Sequence, residues 1–84
     1  MTEAGEIKVY TVANCGRCQA VKDFLRASGA PFSEVAVEGN FAALREMVRL
    51  SRSKTVPVTI RGDMVVIGYH PDELKRLIGK ETHD

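Results

Sequence analysis

The residues best suited to chemistry in this chain are two cysteines, Cys15 and Cys18, with Gly16 and Arg17 between them. Thiol–disulfide exchange needs one thiolate that attacks a disulfide and a second thiol that resolves the resulting mixed disulfide. A pair only three positions apart closes too small a loop to stabilise a fold by cross-linking, because that stabilisation grows with loop length. The pair therefore predicts redox chemistry rather than a structural disulfide.

The two cysteines have different predicted positions at the start of a helix. Cys15 falls just outside the helix and Cys18 one turn inside it, where unpaired N–H groups and the helix dipole stabilise negative charge on Cys15. Arg17 adds a neighbouring cation. Cysteine pKa values fall from about 8.5 to roughly 3.5–7.5 in such settings. We therefore predict that Cys15 is the nucleophile and Cys18 the resolving thiol.

The elements that position this pair follow from the apolar pattern. Strands are predicted at 7–12, 32–37, 56–60 and 64–67, and helices after Cys15, after the N-cap residue Asn40 and from Pro71. A strand–helix–strand unit predicts a right-handed crossover between parallel strands, and Gly62-Asp63 predicts a hairpin. The order βαβαββα therefore indicates an α/β fold with a four-stranded mixed sheet flanked by helices.

Each predicted helix has apolar residues three or four positions apart, which predict a buried face. These residues are Val21, Phe24 and Leu25 in the first helix, Phe41, Leu44, Met47 and Val48 in the second, and Leu74, Leu77 and Ile78 in the third.

The overall composition argues against several other functions. With 12 basic and 11 acidic residues the net charge is +1, which gives no reason to expect a surface for nucleic acids or anionic membranes. No apolar run approaches the ~20 residues of a membrane-spanning helix, and the N-terminus lacks the apolar segment of a secretory signal. We expect one domain over residues 1–84, ordered from about 7 to 79, in the cytoplasm, where thiols are kept reduced.

A zinc site is the structural alternative for a Cys-x-x-Cys pair. Zinc takes four ligands, commonly two such pairs or one pair with two histidines. The chain has no second pair, and its histidines, His70 and His83, lie far apart in unlike contexts. Two chains could share a four-cysteine zinc site, but no feature of the sequence indicates one. We expect neither a metal nor another cofactor.

Pro57 is the second informative residue. A proline is tolerated at the start of a strand, where its missing N–H is not needed. A cis Val56–Pro57 bond would turn the backbone of Val56 toward the cysteines, where it could pair with a substrate strand. Because only about 5–6% of X–Pro bonds are cis, the residues alone leave the isomer open.

Three segments together resemble the glutaredoxin family, most closely the glutaredoxin-like NrdH-redoxins that supply electrons to ribonucleotide reductase. They are residues 9–18, Thr55-Val-Pro57 and Gly68-Tyr-His-Pro-Asp72. The resemblance covers about 7 to 79 and implies a thioredoxin fold in which the three segments meet at one site. It implies that Pro57 is cis and faces the cysteines, that Thr55 and Val56 join the site, and that the protein is a cytosolic monomer.

Departures from typical glutaredoxins bear on the electron source. Gly16-Arg17 replaces the family's Pro-Tyr, and Tyr69 replaces a glycine where glutathione approaches the backbone, an approach that only glycine permits. The form of residues 69–72 is similar to the redoxins that thioredoxin reductase reduces. Lys54 and Asp72 instead match positions that contact glutathione in true glutaredoxins. A protein partner would contact Arg17, Tyr69 and His70, since aromatic residues and arginine are enriched at interfaces.

The sequence thus predicts a dithiol–disulfide oxidoreductase, an electron carrier that reduces protein disulfides and is recycled by thioredoxin reductase. Ribonucleotide reductase is a candidate target. A glutathione-dependent glutaredoxin is one alternative, with Asp72 among its binding residues. A metal or iron–sulfur binding module is another, although carriers of the monothiol type use one cysteine, and Cys18 argues against that.

Overall fold

The computed structural model describes residues 6–79, and residues 1–5 and 80–84, which include His83, lie outside that range. Its elements are β1 (Ile7–Thr11), α1 (Gly16–Ala27), β2 (Phe32–Ala36), α2 (Phe41–Ser51), β3 (Val58–Arg61), β4 (Met64–Ile67) and α3 (Pro71–Gly79). The predicted order of elements is confirmed. Across the described range, no helix is long and apolar enough to cross a membrane.

The four strands form one mixed sheet in the order β2-β1-β3-β4. β1 runs parallel to β2, because the chain returns through α1, and antiparallel to β3. β3 and β4 pair as the predicted hairpin, in which Gly62 has a φ of +59°. β3 begins at Val58 rather than at the predicted Val56, since Pro57 has no N–H to donate to the sheet.

The core has two layers, one on each face of the sheet. Alternate residues of β1 point to opposite faces, so Val9 packs on the side of α1 and α3 while Tyr10 packs on the side of α2. Leu25 of α1, Leu74 of α3 and Met47 of α2 are completely buried. Full burial of such a side chain contributes about 1.5–3 kcal/mol, so these helices are held firmly on the sheet that positions the cysteines.

The predicted apolar face of α2 is wrong at one residue. Met47 is buried as predicted and Ala43 is buried as well, but Phe41 is 79% exposed. Phe41 precedes Ala43 by two residues, which places it about 200° away around the helix axis. The N-cap Asn40, whose side-chain oxygen accepts a hydrogen bond from the Ala43 N–H at 3.2 Å, fixes where the helix begins, and packing on the sheet sets its rotation.

Candidate active site

Cys15 is the N-cap of α1. Its backbone is extended (φ −113°, ψ 111°), and its Sγ accepts a hydrogen bond from the Cys18 N–H at 3.1 Å. Sulfur here takes the place usually held by the oxygen of serine, threonine or aspartate. Asn14, with a φ of +57°, turns the chain between the end of β1 and this cap. The thiol of Cys15 is therefore held against the unpaired N–H groups at the start of the helix.

The two thiols differ in accessibility. Cys15 is half-buried, whereas only 2% of the surface of Cys18 is accessible to solvent. Cys18 lies in the first turn of α1, on the side that faces the sheet. A protein disulfide can therefore reach Cys15 directly, and Cys18 is reached through Cys15.

The pKa of the Cys15 thiol lies below its ordinary value. Burial would raise this pKa, but hydrogen bonds from the Cys18 thiol and from the backbone N–H groups of Cys18 and Arg17 outweigh that effect. The positive charge of Arg17 lowers the pKa further. All these groups stabilise the thiolate, so Cys15 is prepared for nucleophilic attack.

The pKa of the Cys18 thiol is raised to about 11. Burial is the largest cause, followed by the hydrogen bond that this thiol donates to Cys15 and by the negative charge of Cys15. The backbone N–H of Val12 and the charge of Lys22 act in the opposite direction. At neutral pH Cys18 therefore keeps its proton while Cys15 is the reactive sulfur.

Both cysteines line an open groove of about 760 Å³. Sequence reasoning missed the charged residues of this groove. Glu34 of β2 accepts a hydrogen bond from the Thr11 hydroxyl at 2.7 Å and pairs with Lys22 of α1 at 3.0 Å. These contacts lower the pKa of Glu34, so it carries a negative charge near the thiols. Only the parallel pairing of β1 with β2 brings these residues together.

The proline segment lies beside the end of β1. The Val56–Pro57 bond is cis, as the resemblance predicts. Tyr10 pairs with Val58, and continuing this antiparallel register places Pro57 beside Thr11 and Val56 beside Val12, just ahead of the cysteines. Pro57 is buried and Val56 half-buried, whereas Thr55 is exposed.

The third segment contacts the proline segment and helix α1. The Gly68 N–H donates a hydrogen bond to the Pro57 carbonyl at 2.8 Å. Tyr69 packs edge-on against Phe24 of α1, with ring centroids 6.5 Å apart, and stays 38% exposed. Gly68 has a φ of +86°, and a Cβ there would lie 3.4 Å from Nε2 of His70, so this turn suits glycine.

The remaining predicted site residues are Arg17, His70 and Asp72. Arg17 acts on Cys15 through its N–H and its charge. His70 and Asp72 are exposed at the start of α3, where the His70 carbonyl accepts the first helical hydrogen bond, from Leu74. Between residues 6 and 79, no group of three or more His, Cys, Asp or Glu side chains could hold a metal ion.

Comparison with known proteins is decisive for the family. Residues 7–66 match the sequence model of the glutaredoxin family. The chain belongs to the glutaredoxin family. The gene 56 protein of Mycobacterium phage L5 is 36% identical to this glutaredoxin over 77 residues, or 90% of this chain and 75% of that protein. The glutaredoxin-like protein NrdH of Escherichia coli K12 is 31% identical over 71 residues, or 84% and 86% of the two chains.

Solved structures agree with this assignment. The glutaredoxin of Archaeoglobus fulgidus superimposes on this glutaredoxin with a TM-score of 0.81 at 29% identity, covering 87% of this chain and 85% of that one. The NrdH-redoxin of Escherichia coli gives a TM-score of 0.77 at 32% identity, covering 87% and 95%. The predicted thioredoxin fold and family are confirmed, and the chain is a glutaredoxin- and NrdH-like redox protein of the thioredoxin superfamily.

Proposed function

We propose that this glutaredoxin is a dithiol–disulfide oxidoreductase that reduces disulfides in partner proteins. The observation that carries the proposal is the asymmetry of its two thiols. Cys15 is accessible with a lowered pKa, and Cys18 is buried with a raised one. An exposed thiolate with a protonated thiol behind it is what stepwise disulfide exchange requires.

The reaction proceeds in two exchanges. The Cys15 thiolate attacks one sulfur of the target disulfide, which forms a mixed disulfide and releases the other target sulfur as a thiolate. Cys18 then loses its proton, which the released thiolate takes up, and attacks Sγ of Cys15. The Cys15–Cys18 disulfide forms, the second target sulfur leaves as a thiolate that takes a proton from water, and the target has gained two electrons. A reductase must return two electrons before the next cycle.

Thioredoxin reductase is the proposed electron source, and structure and comparison both support it. Tyr69 packs against Phe24 and, by the family resemblance, stands where glutathione-dependent glutaredoxins have a second glycine, so we propose that its ring hinders the approach of glutathione. Pro71 begins α3 without a backbone donor for a carboxylate. The Escherichia coli NrdH-redoxin has a thioredoxin-like activity profile. The resemblance to NrdH-redoxins makes ribonucleotide reductase the first target to test.

A glutathione-dependent glutaredoxin is the second candidate. Lys54 and Asp72 favour it, because both side chains are exposed and make no side-chain hydrogen bond to any residue between 6 and 79. They are thus free to bind the two charged ends of glutathione. In either case we propose that the chain acts as a single monomeric domain in the cytoplasm, where partner thiols are kept reduced.

A coupled NADPH oxidation assay tests the electron source, with insulin as the disulfide substrate. We expect turnover with thioredoxin reductase to exceed turnover with glutathione and glutathione reductase. Tyr69→Gly should raise the glutathione-dependent rate, while Tyr69→Phe, which keeps the ring on Phe24, should not. Turnover with glutathione alone would overturn the proposed electron source and favour the second candidate.

A further inference from the structure

The outer face of α2 combines an exposed aromatic ring with arginines. Phe41 is the most exposed large apolar side chain between residues 6 and 79. Arg45 and Arg49 follow it at intervals of four residues, so the three side chains lie along one side of the helix. They border an open groove of about 720 Å³, whose apolar wall includes Leu44 and Val48. We call this surface the α2 face.

The positive charges of the α2 face are unpaired within the described chain. Neither Arg45 nor Arg49 forms an ion pair or hydrogen bond with any residue from 6 to 79. Glu46, which also lines the groove, accepts a hydrogen bond from the hydroxyl of the buried Tyr10 at 3.1 Å and is half-buried. Arg52, the exposed C-cap of α2, adds a further cation. The face is therefore basic although the whole chain is nearly neutral.

The α2 face begins next to the cysteine groove. Glu38 lines that groove and accepts a hydrogen bond at 3.1 Å from the N–H of Ala13, which is two residues before Cys15. Phe41 comes three residues after Glu38, so their Cα atoms are at most about 11 Å apart. From Phe41 the face extends along α2 for about 12 Å to Arg49. A short peptide segment can therefore span both surfaces.

We infer that the α2 face docks an acidic segment of the protein whose disulfide is reduced at Cys15. An apolar side chain of that segment packs against Phe41, and its carboxylates bind Arg45 and Arg49, which offer two-pronged donors. The inference rests on the proposed disulfide-reductase function and adds the chemistry of the partner. A second copy of the chain fits less well, because a two-fold axis through this face would set arginines against arginines.

Two synthetic peptides test this inference. Each carries one intramolecular disulfide followed by eight residues, alternating aspartate with leucine in one peptide and asparagine with leucine in the other. In a single-turnover reaction at low salt, the pre-reduced protein should reduce the acidic peptide with a second-order rate constant about fivefold higher, as two exposed charge pairs permit. The preference should reverse in R45E/R49E, whose glutamates repel the acidic peptide, and in the wild type it should shrink at high salt, since exposed charges are screened.

The matched control is K75E/R76E, which makes the same change in net charge on exposed residues of α3 and should keep the preference. Bis(2-hydroxyethyl) disulfide, which is small and neutral, should be reduced equally by all three proteins. Equal rates on both peptides with normal reduction of the small disulfide would overturn the docking inference alone. No reduction of the small disulfide would overturn the proposed function. A dimer in sedimentation that Phe41→Ala dissociates would show that a second copy covers this face.

Discussion

The reactivity of Cys15 depends on the thiol behind it, and Cys18→Ala tests that dependence. Hydrogen bonding from the Cys18 thiol is the largest of the influences that lower the pKa of Cys15. Alanine removes this donor but leaves the backbone N–H of residue 18, which lies 3.1 Å from the Cys15 Sγ. A hydrogen bond to a charged group contributes about 1.5–3 kcal/mol. Taking the lower value, the thiolate population below the pKa should fall about tenfold.

The assay is the rate of alkylation of Cys15 by iodoacetamide as a function of pH, followed by mass spectrometry. Cys18→Ser is the matched control, because it also leaves a single cysteine but keeps a hydroxyl donor near the Cys15 Sγ. We expect the rate profile of Cys18→Ala to lie at higher pH than that of Cys18→Ser. Coincident profiles would refute the reasoning and assign the lowered pKa to the backbone N–H groups and Arg17 alone.

Three further outcomes are expected. With a disulfide-bearing substrate, Cys18→Ser should accumulate a mixed disulfide on Cys15, which intact-mass spectrometry detects. If no mixed disulfide forms, the proposed order of attack is contradicted. Leu25→Ala should lower the free energy of unfolding in urea by about 2–5 kcal/mol, because Leu25 is completely buried, and a loss below 1 kcal/mol would contradict its place in the core. Because folding raises the pKa of Cys18 to about 11, its neutral thiol stabilises the reduced protein fully below the ordinary thiol pKa. That contribution to the free energy of unfolding is lost as pH rises from about 9 toward 11. Urea unfolding of the wild type should therefore give a lower free energy at pH 10 than at pH 7. An equal decrease in Cys18→Ala would assign the effect to another group.

Local sequence signals predicted the main features of the reactive centre. Cys15 caps α1, and its Sγ is bonded to an N–H only three residues away, so the arrangement depends on a few neighbouring residues. The Gly62-Asp63 hairpin and the start of α3 at Pro71 are equally local, because both follow from backbone preferences of glycine and proline. A strand at this point was also predicted, although β3 begins at Val58, just after Pro57, whereas the cis bond of Pro57 was predicted only from the family resemblance.

Other features of the site were not predictable in this way. Lys22 and Glu34 were not chosen as site residues, since neither carries a motif and they are 12 positions apart. The exposure of Phe41 was predicted wrongly, because apolar spacing alone does not tell which side of α2 meets the sheet. The contact of Tyr69 with Phe24 likewise requires α3 and α1 to share one face of the sheet.

The sequence by itself determined the order of elements, the family and the position of the two cysteines at a helix start, because each follows from contacts among near neighbours or from short motifs. The tertiary structure alone decided which charges surround the thiols and which face of α2 stays open. Those features depend on pairs such as Thr11 with Glu34 and Tyr10 with Glu46, separated by 23 and 36 positions. Sheet register and helix packing bring such residues together, and both are properties of the whole folded chain.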